Sequence, residues 1–348
     1  MHVTYAEELG LIRDVLEGFG AAAPLARTQA LWLTEADLRG HSSHGIQRVP
    51  VIVGRMRAGL IAADATPVFQ WRSPSALVID GRRGFGPVVG LATVNELIRG
   101  ARANGVAVGA VHDANHLGLL GPYVEEVAAQ GLIGLAMTTS EALVHAWGGC
   151  ERVLGTNPIA VGVPAEPEAF VLDMATGAIS MGKLLAHERT GTPLEPGWAV
   201  DCAGAPTMDP AAATRGAISP FGGAKGYALG LAVELLVATL TGTALGNAVR
   251  GTLDTEHETS KGDVFIVLDP ATFGIDDSIE RLSDYLEDVR NSGDHEAAAR
   301  VAVPGDRSRA ARQRGMLGGF VVDRESWREV QELLELSRSD HDLQRSCS

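Results

Sequence analysis

Cysteine is nearly absent: Cys150, Cys202 and Cys347 are the only ones in 348 residues. Their spacing fits neither a zinc motif nor a disulfide framework, which points to a reducing, cytoplasmic setting. The opening MHVTYAEELGLIRD lacks the basic segment and apolar run of a secretory signal. No apolar run spans a bilayer comfortably. The best candidate, GYALGLAVELLVATLTG, carries Glu234 in its middle and reads as a buried helix, so no membrane partner is expected. Positive charge is scarce, with 29 Lys and Arg against 43 Asp and Glu and a net charge of −14. That balance argues against nonspecific nucleic-acid binding. It also means that an anionic substrate needs a local cationic pocket. No internal repeat or low-complexity linker occurs.

Glycine, by contrast, is plentiful at 42 residues, a sign of tight turns and close backbone approach. Apolar spacing predicts helices over 4–20 and 24–38, with Pro24 in an early helical position and Gly40 as the stop. A third helix is expected from Ser43 to Arg57, disturbed at Pro50. From about residue 75, SALVID, GVAVGAV, LIGLAMT, PIAVGVP, AFVLDMA and DVFIVLD read as short buried strands. Helical segments such as VVGLATVNELIRGARA and GPYVEEVAAQ lie between them. The expected class is α/β, with a layered core. The expected divisions are an N-terminal helical region (1–74), an α/β core (75–275), a C-terminal helical region packing with the N-terminal helices (276–340) and a frayed tail (341–348).

Three motifs bear on chemistry. ALVIDGRRGFGPVVGLATVNELI runs strand, Gly84, Gly86, Gly90, helix, but its G-x-G-x-x-x-G spacing is one residue too long for the dinucleotide fingerprint. It is a phosphate loop or a tight turn. HDANH sets His112 and His116 four apart with Asp113 between, imitating a zinc-protease pattern with a shorter acid. It is a metal pair, a structural pair or the seat of an acid–base histidine. SPFGGAKGYALGLAVELL places Lys225 among glycines at a helix start, which is an anion site or a solvated turn. DLRGHSSHGIQRVP, residues 37–50, concentrates polar groups beside an apolar run. On a helix His44 and Arg48 share a face. An arginine there can grip a carboxylate with two parallel hydrogen bonds, and a histidine beside it can donate a bond or pass a proton.

These pieces occur together in one family. GHSSHG, NHLGLLGPY, TTSEALVHAWGGCERVLGTNPIAVGVP, VLDMATGAISMGK, PGWAVDCAGAPTMDP, GGAKGYALGLAVELL and KGDVFIVLDP follow in order, with VAVPGD after them. The sequence resembles the malate/L-lactate dehydrogenase family of the non-Rossmann type, which includes ureidoglycolate and sulfolactate dehydrogenases and diketogulonate and piperideine-2-carboxylate reductases. The resemblance implies a three-layer α/β/α core with a mixed sheet and a helical region built from the chain ends. It implies NAD(H) or NADP(H) without the usual glycine fingerprint, and a homodimer or larger assembly. It assigns the acid–base role to His116 and the substrate carboxylate to His44 and Arg48. Cofactor loops map onto Ser140, onto Asp173, Met174 and Ala175, onto Lys225, and onto Pro304 and Gly305. Two departures stand out: Ile52 where many members have tyrosine, and Leu117 where many have an aromatic residue.

The implied reaction is hydride transfer between a nicotinamide and a small anionic 2-oxo or 2-hydroxy acid, with His116 supplying the proton and Glu141 orienting it. The substrate is left open among malate, lactate, sulfolactate, ureidoglycolate and a cyclic imine acid. The aspartate in VLDMAT favours NAD slightly, while the arginines of DRSRAARQR argue for NADP. Apolar Leu31, Trp32 and Leu33 on the N-terminal helices suggest an oligomer. A zinc hydrolase using His112 and His116, and a non-catalytic ligand-binding protein, are the competing classes.

Overall fold

The computed structural model describes residues 1–274, 278–293 and 301–346. The expected boundary between residues 275 and 276, Cys347 and Ser348 lie outside the described residues. Helices α1 (Tyr5–Gly18) and α2 (Ala23–Leu38) open the chain. Thr4 caps α1: its hydroxyl accepts from the Glu7 amide at 3.3 Å, and Glu7 Oε2 accepts from the Thr4 amide at 2.7 Å. Two otherwise orphaned donors are thereby satisfied. Pro24 sits in the first turn of α2, where its missing N–H costs nothing. Gly40, at φ +82°, turns the chain away.

The helix expected from Ser43 is different. Ser42–His44 and Ile46–Arg48 are separate 3-10 turns, and α3 covers only Val49–Arg57. The break falls at Gly45. Asp37 Oδ2 accepts the Ile46 amide at 2.6 Å, and a Cβ on Gly45 would lie 1.9 Å from that oxygen. Backbone and carboxylate can approach only because the side chain is missing. Pro50 lies in the first turn of α3 rather than disturbing it.

The central sheet runs Val68–Ser73, Ala76–Asp80, Val106–His112, Asp263–Leu268, Ile133–Thr138, Ile159–Val163, Phe170–Met174. Ala76–Asp80 and Val106–His112 are parallel and the other neighbours antiparallel. The strands expected from apolar runs are all in it. The edge strand Val68–Ser73 is not among them: it is exposed along its length, so no buried period marks it. It moves the start of the sheet ahead of residue 75.

Helices α4 (Gly86–Asn104) and α5 (Gly121–Ala129) cover one face. A second, small sheet of strands two or three residues long follows, with α6 (Met181–Thr190) and α7 (Pro210–Arg215) beside it. Such strands are too short to show a period in the sequence. Helix α8 (Ala224–Thr241) covers the other face of the central sheet. Side chains alternate accordingly. Phe265 and Val267 join Leu97 and Tyr123, while Val264 joins Val233 and Val237. The result is the expected three-layer α/β/α core with a mixed sheet.

Helices α9 (Ser278–Asn291), α10 (Asp306–Gly318) and α11 (Arg324–Ser346) follow. α11 packs on α1 and α3, and His2–Val3 pairs with Phe320–Val321. The first and last helices thus share one core, around Ile12, Leu16, Leu33, Val53 and Val330. The segment expected to fray from 341 continues α11 to Ser346.

Two other expectations need correction. By length and composition α8 is apolar enough to cross a membrane, and it is not buried all round. Leu235, Leu236 and Leu240 are exposed, while Val233, Glu234 and Val237 are buried. The Glu234 carboxylate is accommodated because it accepts from Asn157 Nδ2 at 2.7 Å and the Gly246 amide at 2.5 Å. Nor are Trp32 and Leu33 spare apolar surface: Leu33 lies in the helical core and Trp32 stacks on Tyr123, centroids 4.7 Å apart.

The glycines after SALVID serve packing. A Cβ on Gly86 would lie 2.1 Å from the His116 carbonyl oxygen, and one on Gly90 2.6 Å from the Tyr123 ring. Gly86→Ala is therefore expected to lower stability by about 1–3 kcal/mol through overpacking. Gly10→Ala, with nothing within 4 Å of the new carbon, should raise it by about 0.5–1 kcal/mol through helix propensity. Urea melts of both variants check this. A Gly86→Ala protein as stable as the parent would show that the His116 loop is not pressed against α4.

Candidate active site

Arg48 ends the second 3-10 turn, and its Nε donates to the Ser43 carbonyl at 2.9 Å. That bond fixes the guanidinium and leaves the N–H groups of both terminal nitrogens uncommitted, a fork matched to a carboxylate. Burial lowers the Arg48 pKa, and the Glu141 carboxylate opposes the shift. His44 lies beside it, with Nδ1 2.9 Å from Ser43 Oγ. Burial, then the charges of Arg48 and His41, hold its pKa down to about 3. His44 and Arg48 meet as expected, though not by helical spacing.

His116 is on the loop between strand Val106–His112 and α5, at the carboxyl ends of the two parallel strands. This is where open α/β sheets place their ligands. Its ring lies 5.4 Å from that of His44. The Gly118 amide donates to His116 Nδ1 at 3.0 Å, so the neutral ring carries its hydrogen on Nε2. Burial, then Arg48, His44 and Lys261, lowers its pKa well below 6.5. His44, Arg48, His116, Ser140 and Lys261 line one cleft.

Glu141 does not orient His116. Its Oε1 accepts the amides of Thr252 and Leu253 at 2.6 and 3.0 Å, and its Oε2 accepts the Thr252 hydroxyl. It pins the loop facing His116 instead.

Sequence reasoning missed three residues that shape the site. Lys261, 2% exposed, donates to Asp263 at 2.5 and 2.6 Å on the cleft wall. The available signal was their i, i+2 spacing at the head of a strand, which puts both on one face. Asn115 Oδ1 accepts from Arg55 Nε and Nη2 at 3.2 and 3.1 Å, and its Nδ2 donates to the carbonyls of Arg83 and Gly84. Arg55 also donates to the carbonyls of Asp254 and His257 and to Thr259 Oγ1. No local pattern joins residues so far apart.

A second cleft adjoins the first along the His116–Gly121 loop. It is lined by Asp173, Gly305, Arg307 and Ser308. Gly305 starts α10 without a side-chain cap; the Asp306 amide is taken by the Val303 carbonyl at 3.0 Å, which leaves those of Arg307 and Ser308 to an anion. With Arg307 this donor set suits the phosphates of a dinucleotide, and the hydroxyls of Thr139 and Ser140 suit a polar ring near His116. Asp173 Oδ2 accepts the Gly121 amide at 2.6 Å, which weakens the sequence argument that its carboxylate favours NAD. Met174 ends its strand and Ala175 follows it. Lys225 is exposed in the first turn of α8 and lines neither cleft.

His112 and His116 do not form a metal pair. His112 Nδ1 bonds Asp113 Oδ2 at 2.8 Å. Among the described residues, the group with ligand atoms within 4.8 Å of one another is Asp80, His112 and Asp113, without His116.

The sequence pattern of the malate/L-lactate dehydrogenase family matches residues 3–331. The chain is 37% identical over 330 residues to an L-sulfolactate dehydrogenase of Methanocaldococcus jannaschii, covering 94% of each chain. It is 34% identical over 335 residues to a delta(1)-pyrroline-2-carboxylate reductase of Ancylobacter novellus, covering 96% of this chain and 97% of that one. A crystal structure of a dehydrogenase from Sinorhizobium meliloti superposes with a TM-score of 0.92 at 44% identity, covering 96% of this chain and 98% of the other.

The Asn115 network gives a test. Asn115→Ala leaves the buried Arg55 Nε without a partner and takes one bond each from Arg55 Nη2, which keeps Thr259, and from the Arg83 and Gly84 carbonyls, which keep the amides of Ala62 and residue 115. An unpaired buried donor costs about 1–3 kcal/mol, so the denaturation midpoint should fall. A variant melting with the parent would show that Asn115 is not what ties these segments.

Proposed function

The chain belongs to the malate/L-lactate dehydrogenase family, oxidoreductases of small 2-oxo and 2-hydroxy acids, and on that premise we propose that it interconverts a 2-oxo acid and its 2-hydroxy acid with NAD(H) or NADP(H). The observation that carries the reading is the meeting of Arg48, with its free fork, and His116, with an uncommitted Nε2, in one cleft.

A nicotinamide held beside the cleft by Ser140 and the start of α10 would supply the hydride that reduction of the carbonyl carbon requires. Arg48 grips the carboxylate and so orients the carbonyl. His116 gives the nascent alkoxide its proton from Nε2 and takes a proton back in oxidation. His44, held neutral, adds a hydrogen bond. For a cyclic imine acid the proton goes to the ring nitrogen, and the likeness to a pyrroline-2-carboxylate reductase supports that second reading. An imidazolium carries hydrogen on both nitrogens, so the Gly118 amide at Nδ1 opposes protonation in the empty cleft. Burial is the largest cause of the depressed His116 pKa and the Arg48 charge the next; a carboxylate on Arg48 cancels that second contribution. Substrate binding thus raises that pKa toward the value that proton transfer needs.

We propose a homo-oligomer as well, with the exposed leucines of α8 as the apolar surface that favours it. Light scattering at micromolar concentration should report more than a monomer.

Consumption of NADH and NADPH with a panel of 2-oxo and cyclic imine acids tests the activity. Silence across the panel would sink it. His116→Asn keeps size but cannot shuttle a proton, so kcat should fall about 10²- to 10⁴-fold while cofactor affinity is kept. Arg48→Lys keeps charge but loses the fork, so it should act mainly on KM. A folded His116→Asn enzyme with normal kcat removes His116 from the mechanism.

The pH profiles should differ in a defined way. Reduction needs protonated His116, whose free-enzyme pKa lies well below 6.5. Its kcat/KM should therefore fall about tenfold per pH unit through neutrality. The limb in kcat should appear at higher pH, because bound substrate raises the pKa. Oxidation needs the neutral ring, so its kcat/KM should show no His116 limb near neutrality. A reduction kcat/KM level from pH 5 to 8 would contradict this.

A further inference from the structure

Arg48 and His116 also border a second, mostly apolar cavity. Its walls include Trp32, Leu33, Ile52, Ile61 and Phe85, with Gln29 as a polar group among them. Trp32 stacks on Tyr123 and lies against Gly118, two residues past His116. Its indole Nε1–H is buried and has no partner.

The cations around the two cavities are committed unequally. Arg55 lines the apolar cavity, but its five N–H donors go to Asn115 twice, to the carbonyls of Asp254 and His257, and to Thr259. Lys261 gives two of its three donors to Asp263, whose carboxylate offsets its charge. Arg48 uses only Nε. Among the described residues lining these cavities, Arg48 is the cation that combines spare donors with a charge no ion pair offsets. It satisfies one carboxylate. A second carboxylate, or a sulfonate, would lie against Ile52, Leu33 and Phe85 with no uncommitted cation to pair with it, which apolar surroundings penalise heavily. Ile52 contributes a hydrocarbon surface and no donor.

We propose that the protein selects 2-oxo or cyclic imine acids with a single carboxylate and an uncharged, mainly apolar substituent, which seats between Trp32, Ile52 and Phe85. This rests on reading Arg48 and His116 as the substrate site. It separates this chain from relatives named for malate or sulfolactate.

The test compares 2-oxopentanoate with oxaloacetate and 3-sulfopyruvate, using NADH and NADPH with the intact protein. The expected kcat/KM for 2-oxopentanoate is higher by about tenfold or more, the discrimination a hydrophobic pocket provides. Equal or better use of either dianion overturns the proposal. Calorimetry with 2-hydroxypentanoate and malate separates this inference from the reaction. Tighter binding of the monoacid without turnover supports the inference and overturns the assigned chemistry. Equal or tighter binding of malate, or binding of neither acid, overturns the inference. In folded Ile52→Lys protein the preference should move toward oxaloacetate by about tenfold, and an unmoved preference overturns the seating of the substituent.

Discussion

The hydrogen bonds of Asn115 hold three distant parts of the chain in register. One amide side chain receives Arg55 from α3 and donates to the turn that leads into α4. Thr259 donates to the same oxygen at 3.2 Å. The residue after Asn115 is His116, and the helix carrying Arg55 begins directly after Arg48. The hub therefore sets the distance between the His116 imidazole and the Arg48 guanidinium. Buried networks of this kind rigidify when every member is satisfied, and here the amide uses both its oxygen and its nitrogen.

The electrostatics follow from the same arrangement. A chain with a net charge of −14 gathers Arg48, His44 and His116 where their fields add. Local geometry outweighs the overall balance. Burial and mutual proximity keep both imidazoles neutral, so the cleft carries one usable positive charge rather than three. That economy avoids repulsion among the three groups before a ligand arrives. It also makes the charge of the ligand part of the site's working electrostatics.

Much of the fold was legible because buried strands and amphipathic helices leave periods in the sequence. SALVID, GVAVGAV and DVFIVLD lie where the apolar runs put them. The edge strand Val68–Ser73 leaves no such trace because neither face is buried. The 3-10 segment was read as helix because propensity cannot register that Asp37 reaches the Ile46 amide from another element. For the site, residue types and family motifs brought His44, Arg48, His116 and Ser140 to one cleft. Asn115, Arg55 and Lys261 escaped notice because their roles are bonds to groups distant in sequence or tertiary burial. Glu141 was assigned by proximity in sequence, and its carboxylate turns to Thr252 instead.

The pairing of His2–Val3 with Phe320–Val321, and of α1 with α11, bears on how the molecule is made. The helices that flank the Arg48 segment are synthesised before the central sheet. Their packing partner, α11, is synthesised after it. Until then the apolar faces of α1 and α2 lack part of their core, and loop-closure entropy must be met before the long-range contacts form. The sheet and its covering helices can collapse during translation, but the half of the cleft that holds Arg48 must wait for α11.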